Sequence, residues 1–285
     1  MGAWPKGDSL IPELPLDAFR ALVWHRGSEL YRDLPWRRTR DPYAIWVSEV
    51  MLQQTQVVRV DGRWQRWLDR FPTVADLAQA SQADVLEEWQ GMGYNRRALS
   101  LRQAAQDIVE SGGDFPRDEC DLRALPGIGP ATAAGIRAFA FDQPGVYLET
   151  NVRTVFLHEL FPREIGVPDK SLVPLVAAAC PSSGGPHSPR SWYYALLDYG
   201  AWLKQTVPNP SRRSRSHVRQ SRFEGSHRQK RGEVVRMLLS VRERGLSQQD
   251  VQDHFDGITE AEAHGLLREL ADEGFCTVEG GRWHV

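Results

Sequence analysis

The sequence predicts an all-α protein that ends in a short β-hairpin. Helix caps and apolar residues at helical spacing recur along the 285 residues, and no long alternating strand pattern occurs before residue 270. Hydrophobic residues make up 41% of the chain and charged residues 25%, which permits a sizeable core and excludes a wholly disordered chain. No run of about 18 apolar residues occurs, so we expect no transmembrane helix.

The predicted helices begin at recognisable caps. Asp41 followed by Pro42 is typical of a helix start, and this helix is predicted to continue to about Val58. Thr73 and Ser81 are predicted to cap two short helices. Further helices are predicted over residues 96–110, 122–125, 131–141 and 191–204.

The C-terminal residues 228–285 predict a small separate domain. The expected elements are helices over residues 228–244, 247–255 and 259–273 and a β-hairpin over residues 276–284. The third helix opens with a capping box of Thr259 and Glu262. Three helices followed by a hairpin resemble a winged helix. Residues 208–227 are rich in Pro, Ser and Arg without periodicity, which predicts a linker.

The net charge of −2 is unevenly distributed along the chain. From Lys204 to Arg231 there are nine basic residues and one acidic residue, giving +8, whereas the remaining 26 basic and 36 acidic residues give −10. A concentrated basic segment favours contact with a polyanion, because each neutralised phosphate releases counterions. A solvated linker is the alternative interpretation.

The three cysteines, Cys120, Cys180 and Cys276, lie far apart in the sequence. They cannot form a four-cysteine cluster, and their spacing fits a reducing cytoplasm. The N-terminus lacks the apolar stretch of a signal peptide. We therefore expect a cytoplasmic location, associated with the nucleoid in a bacterium or archaeon. No His, Cys and Asp cluster has ligand spacing, so no catalytic metal is expected.

The sharpest local motif is the run from Leu125 to Gly129, Leu-Pro-Gly-Ile-Gly, between two predicted helices. Two glycines spaced by one residue let the backbone approach a ligand and expose N–H groups at a helix N-terminus. The motif therefore predicts a helix–hairpin–helix that binds DNA phosphate through Gly127 and Gly129. An ordinary helix–turn–helix connection is the alternative.

A second motif places a carboxylate inside an apolar helix stripe. Ile45, Glu49 and Leu52 fall on one helix face at spacings of four and three. A buried carboxylate is costly without a partner or a task, and desolvation raises its pKa towards that of an acid working near neutral pH. A buried, hydrogen-bonded structural glutamate is the alternative.

Together these motifs resemble the helix–hairpin–helix DNA glycosylase superfamily, and most closely the adenine glycosylase (MutY) family. The resemblance covers residues 15–203, and the Ser-Glu-Val-Met-Leu-Gln-Gln-Thr-Gln run from Ser48 to Gln56 is its most specific part. It implies a two-lobed helical glycosylase domain over residues 1–207. The implied lobes are a six-helix lobe over about 42–141 and a second lobe from 15–41 plus 142–207.

The resemblance also implies residue roles. Glu49 matches the catalytic acid that protonates the flipped base, and Glu149 falls where the family has a catalytic Asp that stabilises positive charge on the sugar. The residues matching the base pocket are Trp36, Arg37, Asp198 and Asn151. The alternative for Glu149 is a helix-start glutamate without a catalytic role.

The implied DNA contacts lie outside the pocket. Gln54 matches a wedge side chain that fills the vacated stack, and Tyr94 matches an aromatic residue near the extruded nucleotide. A solvated glutamine and a core tyrosine are the alternatives for these two. We also expect Arg212, Arg213 and Arg215 to grip DNA in place of the iron–sulfur loop found in many relatives.

The sequence departs from the family at the iron–sulfur cysteines and from lyase relatives at the lysine after the hairpin. The four cysteines of an iron–sulfur cluster are missing after the helix that carries Asp198, so no cluster is expected. A monovalent cation at the hairpin carbonyls is implied by the resemblance alone. Pro130, Ala131 and Thr132 follow the hairpin where lyase relatives carry a lysine, so no Schiff base is expected.

These observations predict a monomeric, monofunctional DNA glycosylase of base excision repair. It would bind double-stranded DNA, flip a mispaired or damaged base, adenine first, and hydrolyse its N-glycosidic bond. One alternative is a glycosylase for mispaired thymine, uracil or another modified base. Another is a non-catalytic protein that binds DNA lesions. The tail from Arg228 is too short for the family's domain that reads 8-oxoguanine, so the opposite base is not predicted.

Overall fold

The computed structural model describes residues 3–5, 12–216 and 222–285. The chain forms two compact units. Unit 1 comprises Met1–Val50 and Phe115–Arg219, and unit 2 comprises Met51–Asp114 and Gln220–Val285. Helices dominate both units, which confirms the all-α prediction. None of the helices in the described ranges has the length and apolarity that a membrane span requires.

Short connections join most of the helices. The α-helices of the described residues are α1 (Leu16–Glu29), α2 (Pro42–Leu52), α3 (Val57–Val60), α4 (Arg63–Arg70), α5 (Val74–Gln79), α6 (Gln82–Glu88), α7 (Arg96–Glu110), α8 (Glu119–Ala124), α9 (Pro130–Phe141), α10 (Thr150–Leu160), α11 (Asp169–Ala179), α12 (Pro189–Thr206), α13 (His227–Ser240), α14 (Gln248–His254) and α15 (Glu260–Asp272). Two 3₁₀ helices, Pro35–Arg37 and Pro210–Arg213, and two strands, β1 (Thr277–Glu279) and β2 (Arg282–His284), complete the set.

The predicted caps are present. Asp41 accepts hydrogen bonds from the backbone N–H groups of Tyr43 and Ala44 at 3.2 and 3.3 Å, which starts α2. Thr73 and Thr259 form capping boxes, and the Ser81 side chain accepts from the third residue of its helix. Local side-chain chemistry therefore fixes where these helices begin.

Helix α2 ends earlier than the predicted Val58. It stops at Leu52, and Gln54 has a φ of 51°, a left-handed conformation that a helix cannot continue through. The apolar spacing runs on into α3, so periodicity alone merges two helices that a strained turn separates. The consequence is an exposed loop directly after the helix that carries Glu49.

In unit 1, α12 packs against both α1 and α10. Gly200 on α12 makes the contact with α10 tight, because a Cβ atom there would lie 2.2 Å from the backbone oxygen of Asn151. Phe19, Phe156 and Trp192 are fully buried in the core around these helices. The start of α10, where Glu149 lies, is therefore fixed by close packing.

In unit 2, α5 packs on α7, and Trp67 and Trp89 meet edge to face with ring centroids 5.5 Å apart. The tail, residues 222–285, packs on these helices: α13 contacts α6, and the Gln82 side-chain amide donates to the Phe275 carbonyl at 3.0 Å. Strands β1 and β2 pair antiparallel with Val278 opposite Trp283. The tail thus has the predicted order of three helices and a hairpin.

The structure groups the segments differently from our predicted domains. The hairpin region from Phe115 clusters with unit 1 and not with a lobe over 42–141, and the tail shares unit 2 with Met51–Asp114 and is not separate. Polar contacts that periodicity cannot reveal, such as Arg242 to Asp84 at 3.4 Å, join the tail to the rest of unit 2.

The predicted linker 208–227 is ordered structure in its first part. Pro210–Arg213 forms a 3₁₀ helix, and Ser214 pairs with Val167 in a parallel bridge. The Arg213 guanidinium donates to the carbonyls of Leu157 at 2.9 Å and Phe161 at 2.6 Å. The segment lacks apolar periodicity because arginine donors, and not apolar side chains, hold it on the end of α10. Residues 217–221 of the predicted linker lie outside the described residues.

Candidate active site and DNA-contact loops

Glu49 lies on α2 in the interior of unit 1, with 9% of its surface exposed. Its Oε2 accepts a hydrogen bond from the Tyr147 hydroxyl at 2.9 Å. Gly135 on α9 leaves room for this pair, because a Cβ atom there would lie 2.4 Å from Glu49 Oε2 and 2.8 Å from the Tyr147 ring. Three distant sequence segments therefore define the surroundings of one carboxyl group.

Burial raises the pKa of Glu49 to about 8, and the charge of Glu149 acts in the same direction. The hydrogen bond from Tyr147 and the charge of Arg37 oppose the rise in pKa. Because the resulting pKa lies above neutrality, Glu49 carries a proton at pH 7. A buried, protonated carboxyl is the group that general acid catalysis requires.

Glu149 directly precedes α10 and caps it. Its Oε1 accepts from the backbone N–H groups of Asn151 at 2.6 Å and Val152 at 3.0 Å, and its Oε2 accepts from the Asn151 side-chain amide at 3.4 Å. Burial raises the pKa of Glu149, whereas these N–H donors and Lys204 oppose that rise. The helix-start interpretation is therefore correct as geometry, and it leaves the catalytic role open.

The two carboxyl groups have different surroundings. Glu49 accepts a hydrogen bond from a phenol, whereas Glu149 accepts from two backbone amides at a helix N-terminus, where negative charge is favoured. Burial raises the pKa of both groups, and the N–H donors at the start of α10 favour the charged form of Glu149 against that rise. Environments that differ in this way are those in which one carboxyl of a pair acts as an acid and the other as an anion.

Arg37 and Asp198 form a buried bidentate ion pair. The Arg37 NH1 group donates to Asp198 Oδ2 at 2.7 Å, and NH2 donates to Oδ1 at 2.8 Å. Arg32 also donates to Oδ1 of Asp198, at 2.5 Å, and the Arg37 guanidinium stacks 4.4 Å from the Tyr194 ring centroid. Asp198 therefore orients Arg37, and Trp36 lies buried beside Arg37 in the first 3₁₀ helix.

Gln54 and Tyr94 lie on two exposed loops of unit 2. Both adopt left-handed backbone conformations, with φ values of 51° and 49°. Tyr94 is 39% exposed, so the core alternative for this residue is wrong. Non-glycine residues in this conformation are strained, and such strain persists only where the surrounding structure fixes it.

Arg97 on α7 holds the two loops together. Its NH1 group donates to the carbonyls of Gln53 at 2.6 Å and Met51 at 3.2 Å, and its NH2 group donates to the carbonyl of Gly93 at 2.9 Å. Burial lowers the pKa of the guanidinium to about 10, which leaves it charged at neutral pH. One half-buried cation therefore fixes the backbone directly before Gln54 and directly before Tyr94.

The hairpin has the predicted local geometry. Gly127 has a φ of 78°, and Gly129 is the residue before α9, with Pro130 at the first helical position. Both glycines are exposed, whereas Ile128 between them is buried and anchors the turn. The start of α9 therefore lies at the surface, as phosphate binding at a helix N-terminus requires.

The three arginines expected to bind DNA differ in exposure and in hydrogen bonding. Arg212 and Arg215 are exposed, whereas Arg213 is partly buried and donates to carbonyls at the end of α10. Arg213 therefore holds its segment on the end of α10 by hydrogen bonds, and its expected contact with DNA stays a prediction. The sequence could not separate the three, because the carbonyls involved lie 52 and 56 residues earlier in the chain.

Two residues of the site were missed from the sequence. Tyr147 precedes Glu149 by two residues, but no spacing rule connects it to Glu49, which lies 98 residues earlier. Arg97 lies shortly after the Gly-Met-Gly-Tyr run, and its sequence position is typical of an exposed arginine at a helix start. Only the structure shows that the loop after α2 lies beside this run, where Arg97 donates to both.

The hairpin, the buried acid and the strained loops define a base-excision protein of the helix–hairpin–helix class. Residues 47–170 match the family described as "HhH-GPD superfamily base excision DNA repair protein". The chain is 34% identical over 248 residues to the adenine DNA glycosylase of Mycobacterium tuberculosis, and the alignment covers 77% of each chain. The protein belongs to the adenine DNA glycosylase family.

Other relatives match over shorter stretches. The adenine DNA glycosylase of Rattus norvegicus is 45% identical over 147 residues, which is 47% of this chain but 28% of the rat protein. The chain therefore spans under a third of the mammalian relatives that it matches. A solved thermostable thymine-DNA glycosylase superposes with a TM-score of 0.57 at 24% identity, covering 65% of this chain and 86% of that one. An endonuclease III–DNA complex superposes with a TM-score of 0.54 at 16% identity, covering 79% and 99%. These two structures support the fold alone.

Proposed function

We propose that the protein is a monofunctional DNA glycosylase that hydrolyses the N-glycosidic bond of a mispaired adenine in double-stranded DNA. The observation that carries this proposal is the Glu49 carboxyl, buried and protonated at neutral pH, with Glu149 close enough for its charge to raise the pKa of Glu49. The membership of the adenine DNA glycosylase family supports adenine as the base.

The proposed reaction begins with proton transfer. Glu49 donates its proton to a ring nitrogen of the extruded base, which makes the base a better leaving group. Tyr147 donates to Oε2 of Glu49, so that the other oxygen, Oε1, is the one that carries the proton towards the base. Tyr147 is therefore a positioning residue, because it acts through Glu49.

The glycosidic bond then breaks, and the bonding electrons leave with the protonated base. The sugar carries positive charge at C1′, which the Glu149 carboxylate stabilises from the start of α10. Water adds to C1′ and loses a proton to a carboxylate, which leaves a neutral base and an abasic sugar. The extra methylene of Glu149, relative to the family's Asp, is accommodated because its Oε1 is fixed by two backbone amides.

The remaining site residues serve recognition in this proposal. Trp36 and Arg37, the latter oriented by Asp198, form a wall of the base pocket, and Asn151 lies beside Glu149. Extrusion of a base costs a few kcal/mol, which Gln54 offsets by filling the vacated stack, while Tyr94 lies near the extruded nucleotide. Hairpin N–H groups near the exposed Gly127 and Gly129 bind backbone phosphate, together with Arg212 and Arg215.

We propose no iron–sulfur cluster for this chain. A [4Fe–4S] cluster takes four cysteine thiolates, and the chain has three cysteines. Cys120 is exposed on α8, whereas Cys180 is buried after α11. Among the described residues no group of three or more His, Cys, Asp and Glu could hold a metal. Arg213 supports the end of α10 by hydrogen bonds to its carbonyls.

A panel of duplexes, each with one candidate mispair or lesion, tests the proposed substrate. After incubation, alkali converts abasic sites into strand breaks, and Glu49→Gln serves as the control. We expect breaks at mispaired adenine that vanish with the variant. Breaks at thymine, uracil or a modified base would select the alternative glycosylase. Tight lesion binding without breaks at any base would select the non-catalytic binder.

Borohydride trapping tests the monofunctional part of the proposal. A lyase forms a Schiff base between a lysine amine and C1′, and reduction would make this bond permanent. The three residues directly after the hairpin, Pro130, Ala131 and Thr132, include no lysine, so we expect no trapped adduct. Lys204 is the lysine whose charge acts on Glu149. An adduct that disappears in Lys204→Met would therefore contradict the proposal.

A further inference from the structure

Two large exposed aromatic side chains of unit 2 flank one arginine. Tyr94 is 39% exposed and Phe223 is 55% exposed. The guanidinium carbon of Arg228 lies 5.9 Å from the Tyr94 ring centroid and 5.5 Å from that of Phe223, and its NH1 group donates to the Tyr94 hydroxyl at 3.4 Å. These three side chains, which we call the tail stack, join the loop of Tyr94 to the tail.

The tail stack is held in place by the packing of unit 2. Arg96 approaches Glu273 at 3.9 Å, and Arg242 approaches Asp84 at 3.4 Å, so two ion pairs join the tail to Met51–Asp114, in addition to the packing of α13 on α6. The turn that carries Phe223 is closed by Ser226, which caps α13, and by the Gln229 side chain, which accepts from the Gly225 N–H at 2.6 Å. The stack is therefore a preformed surface.

The charge around the stack favours an anion. Residues 222–231 contain four basic residues and one acidic residue, a net charge of +3 along the sequence. Arg222 pairs with Glu224, and Arg231 pairs with Glu269 and Glu273, so the positive charge against the two rings is that of Arg228. Arg228 lies within this basic segment and against two aromatic rings at once. Aromatic faces combined with a guanidinium are the chemistry that binds unstacked nucleobases and the adjoining phosphate.

We infer that the tail stack binds the DNA strand beside the extruded nucleotide, with a base on the exposed Phe223 ring and a phosphate at Arg228. The inference rests on the proposed function, because Tyr94 is the residue that the proposal places near that nucleotide. The tail then contributes directly to DNA binding in this chain. A base that has lost its neighbour presents a free face, so the stack favours distorted over fully paired DNA.

Equilibrium binding of a mispaired duplex and a fully paired duplex tests this inference. Measuring both in the Glu49→Gln background separates binding from excision. Phe223→Ala should weaken binding to the mispaired duplex by about tenfold, since one base–aromatic stack contributes this much, and should affect the paired duplex less. Phe223→Trp keeps an aromatic ring and should bind both duplexes with the affinity of the parent. Arg228→Gln should weaken binding to both duplexes.

Two matched controls exclude general effects of the tail. Val278 is as exposed as Phe223 at 53%, and Arg236 on α13 is paired with Glu233. Val278→Ala and Arg236→Gln should bind as the parent does. If Phe223→Ala and Arg228→Gln also bind as the parent, with unchanged thermal unfolding, the inference is overturned even when excision of adenine is intact. Absence of adenine excision by the parent chain, with these losses of affinity still observed, would instead reject the proposed function.

Discussion

The polar side chain of Glu49 is buried, whereas the polar side chains of Gln54 and Tyr94 are exposed on loops. Glu49 is buried, and it accepts a hydrogen bond from a side chain 98 residues away. Gln54 and Tyr94 are exposed, and their strained backbone is fixed by Arg97. Proton transfer needs a dry carboxyl with a raised pKa, whereas DNA distortion needs exposed side chains on a rigid base. The difference predicts that substitutions in the two regions fail in different assays.

The largest expected effect comes from removing the charge of Glu149 while keeping its hydrogen bonds to α10. Glu149→Gln should lower the single-turnover excision rate by about a hundredfold or more, since it removes the anion that stabilises the sugar cation. Its amide oxygen can still accept from the α10 N–H groups, so thermal unfolding should change little. Glu149→Asp keeps the charge and serves as the matched control. Equal rates for Glu149→Gln and the parent would contradict the catalytic role.

The second effect concerns the space that Gly135 leaves. Gly135→Ala places a methyl group 2.4 Å from Glu49 Oε2, so the carboxyl and Tyr147 must move. We expect a loss of about 1–3 kcal/mol in the free energy of unfolding and a lower excision rate, with DNA affinity retained. Gly232→Ala on α13 is the control, because no described residue outside its own helix turn lies within 4 Å of its added Cβ, and it should be neutral or stabilising. Unchanged excision by Gly135→Ala would show that the carboxyl is mobile.

The third effect falls on the exposed loops. Arg97→Met removes the donors to Gln53, Met51 and Gly93, so we expect weaker binding to mispaired DNA and a loss of about 2 kcal/mol in unfolding free energy. The excision rate at saturating DNA should fall less than the affinity does. Arg102→Met, on the same helix with a hydrogen bond to Ala80, is the control. If Arg97→Met lowered the excision rate without weakening DNA binding, the loops and the region around Glu49 would not have the separate roles described above.

The most gradual effect is a dependence of stability on pH. The pKa of Glu49 is near 8 in the folded chain and near 4.5 in the unfolded chain. Its contribution to stability is fully present below pH 4.5 and is lost progressively as the pH rises through about 8, because only the unfolded chain releases the proton in that range. The difference in unfolding free energy between Glu49→Gln and the parent should therefore grow over this interval. A constant difference would place the carboxyl in water.

The sequence predicted most of the local structure of both regions and little of their long-range contacts. Helix starts at Asp41, Thr73 and Thr259 were predictable because a cap depends on neighbours two or three residues away. The burial of Glu49 was predictable because helical spacing places it in an apolar stripe. Its hydrogen bond to Tyr147 was not, because it depends on the packing of α2 against a distant segment.

The same limit explains the contacts that the sequence missed after α12. Arg212, Arg213 and Arg215 are equivalent by composition, and only the fold assigns Arg213 to carbonyls near the end of α10. The grouping of the tail with Met51–Asp114 was also beyond the sequence, since it depends on individual polar contacts between them. The roles of the site residues in catalysis and DNA binding stay predictions.

The whole proposed mechanism depends on the protonation state of Glu49, and infrared difference spectroscopy measures it directly. The carboxylic acid C=O band that disappears in Glu49→Gln should be present at pH 7 and titrate near pH 8. In Tyr147→Phe the midpoint should move higher, because the Tyr147 hydrogen bond favours the charged form. A band that titrates near pH 4.5, or that is absent at pH 7, would contradict the mechanism.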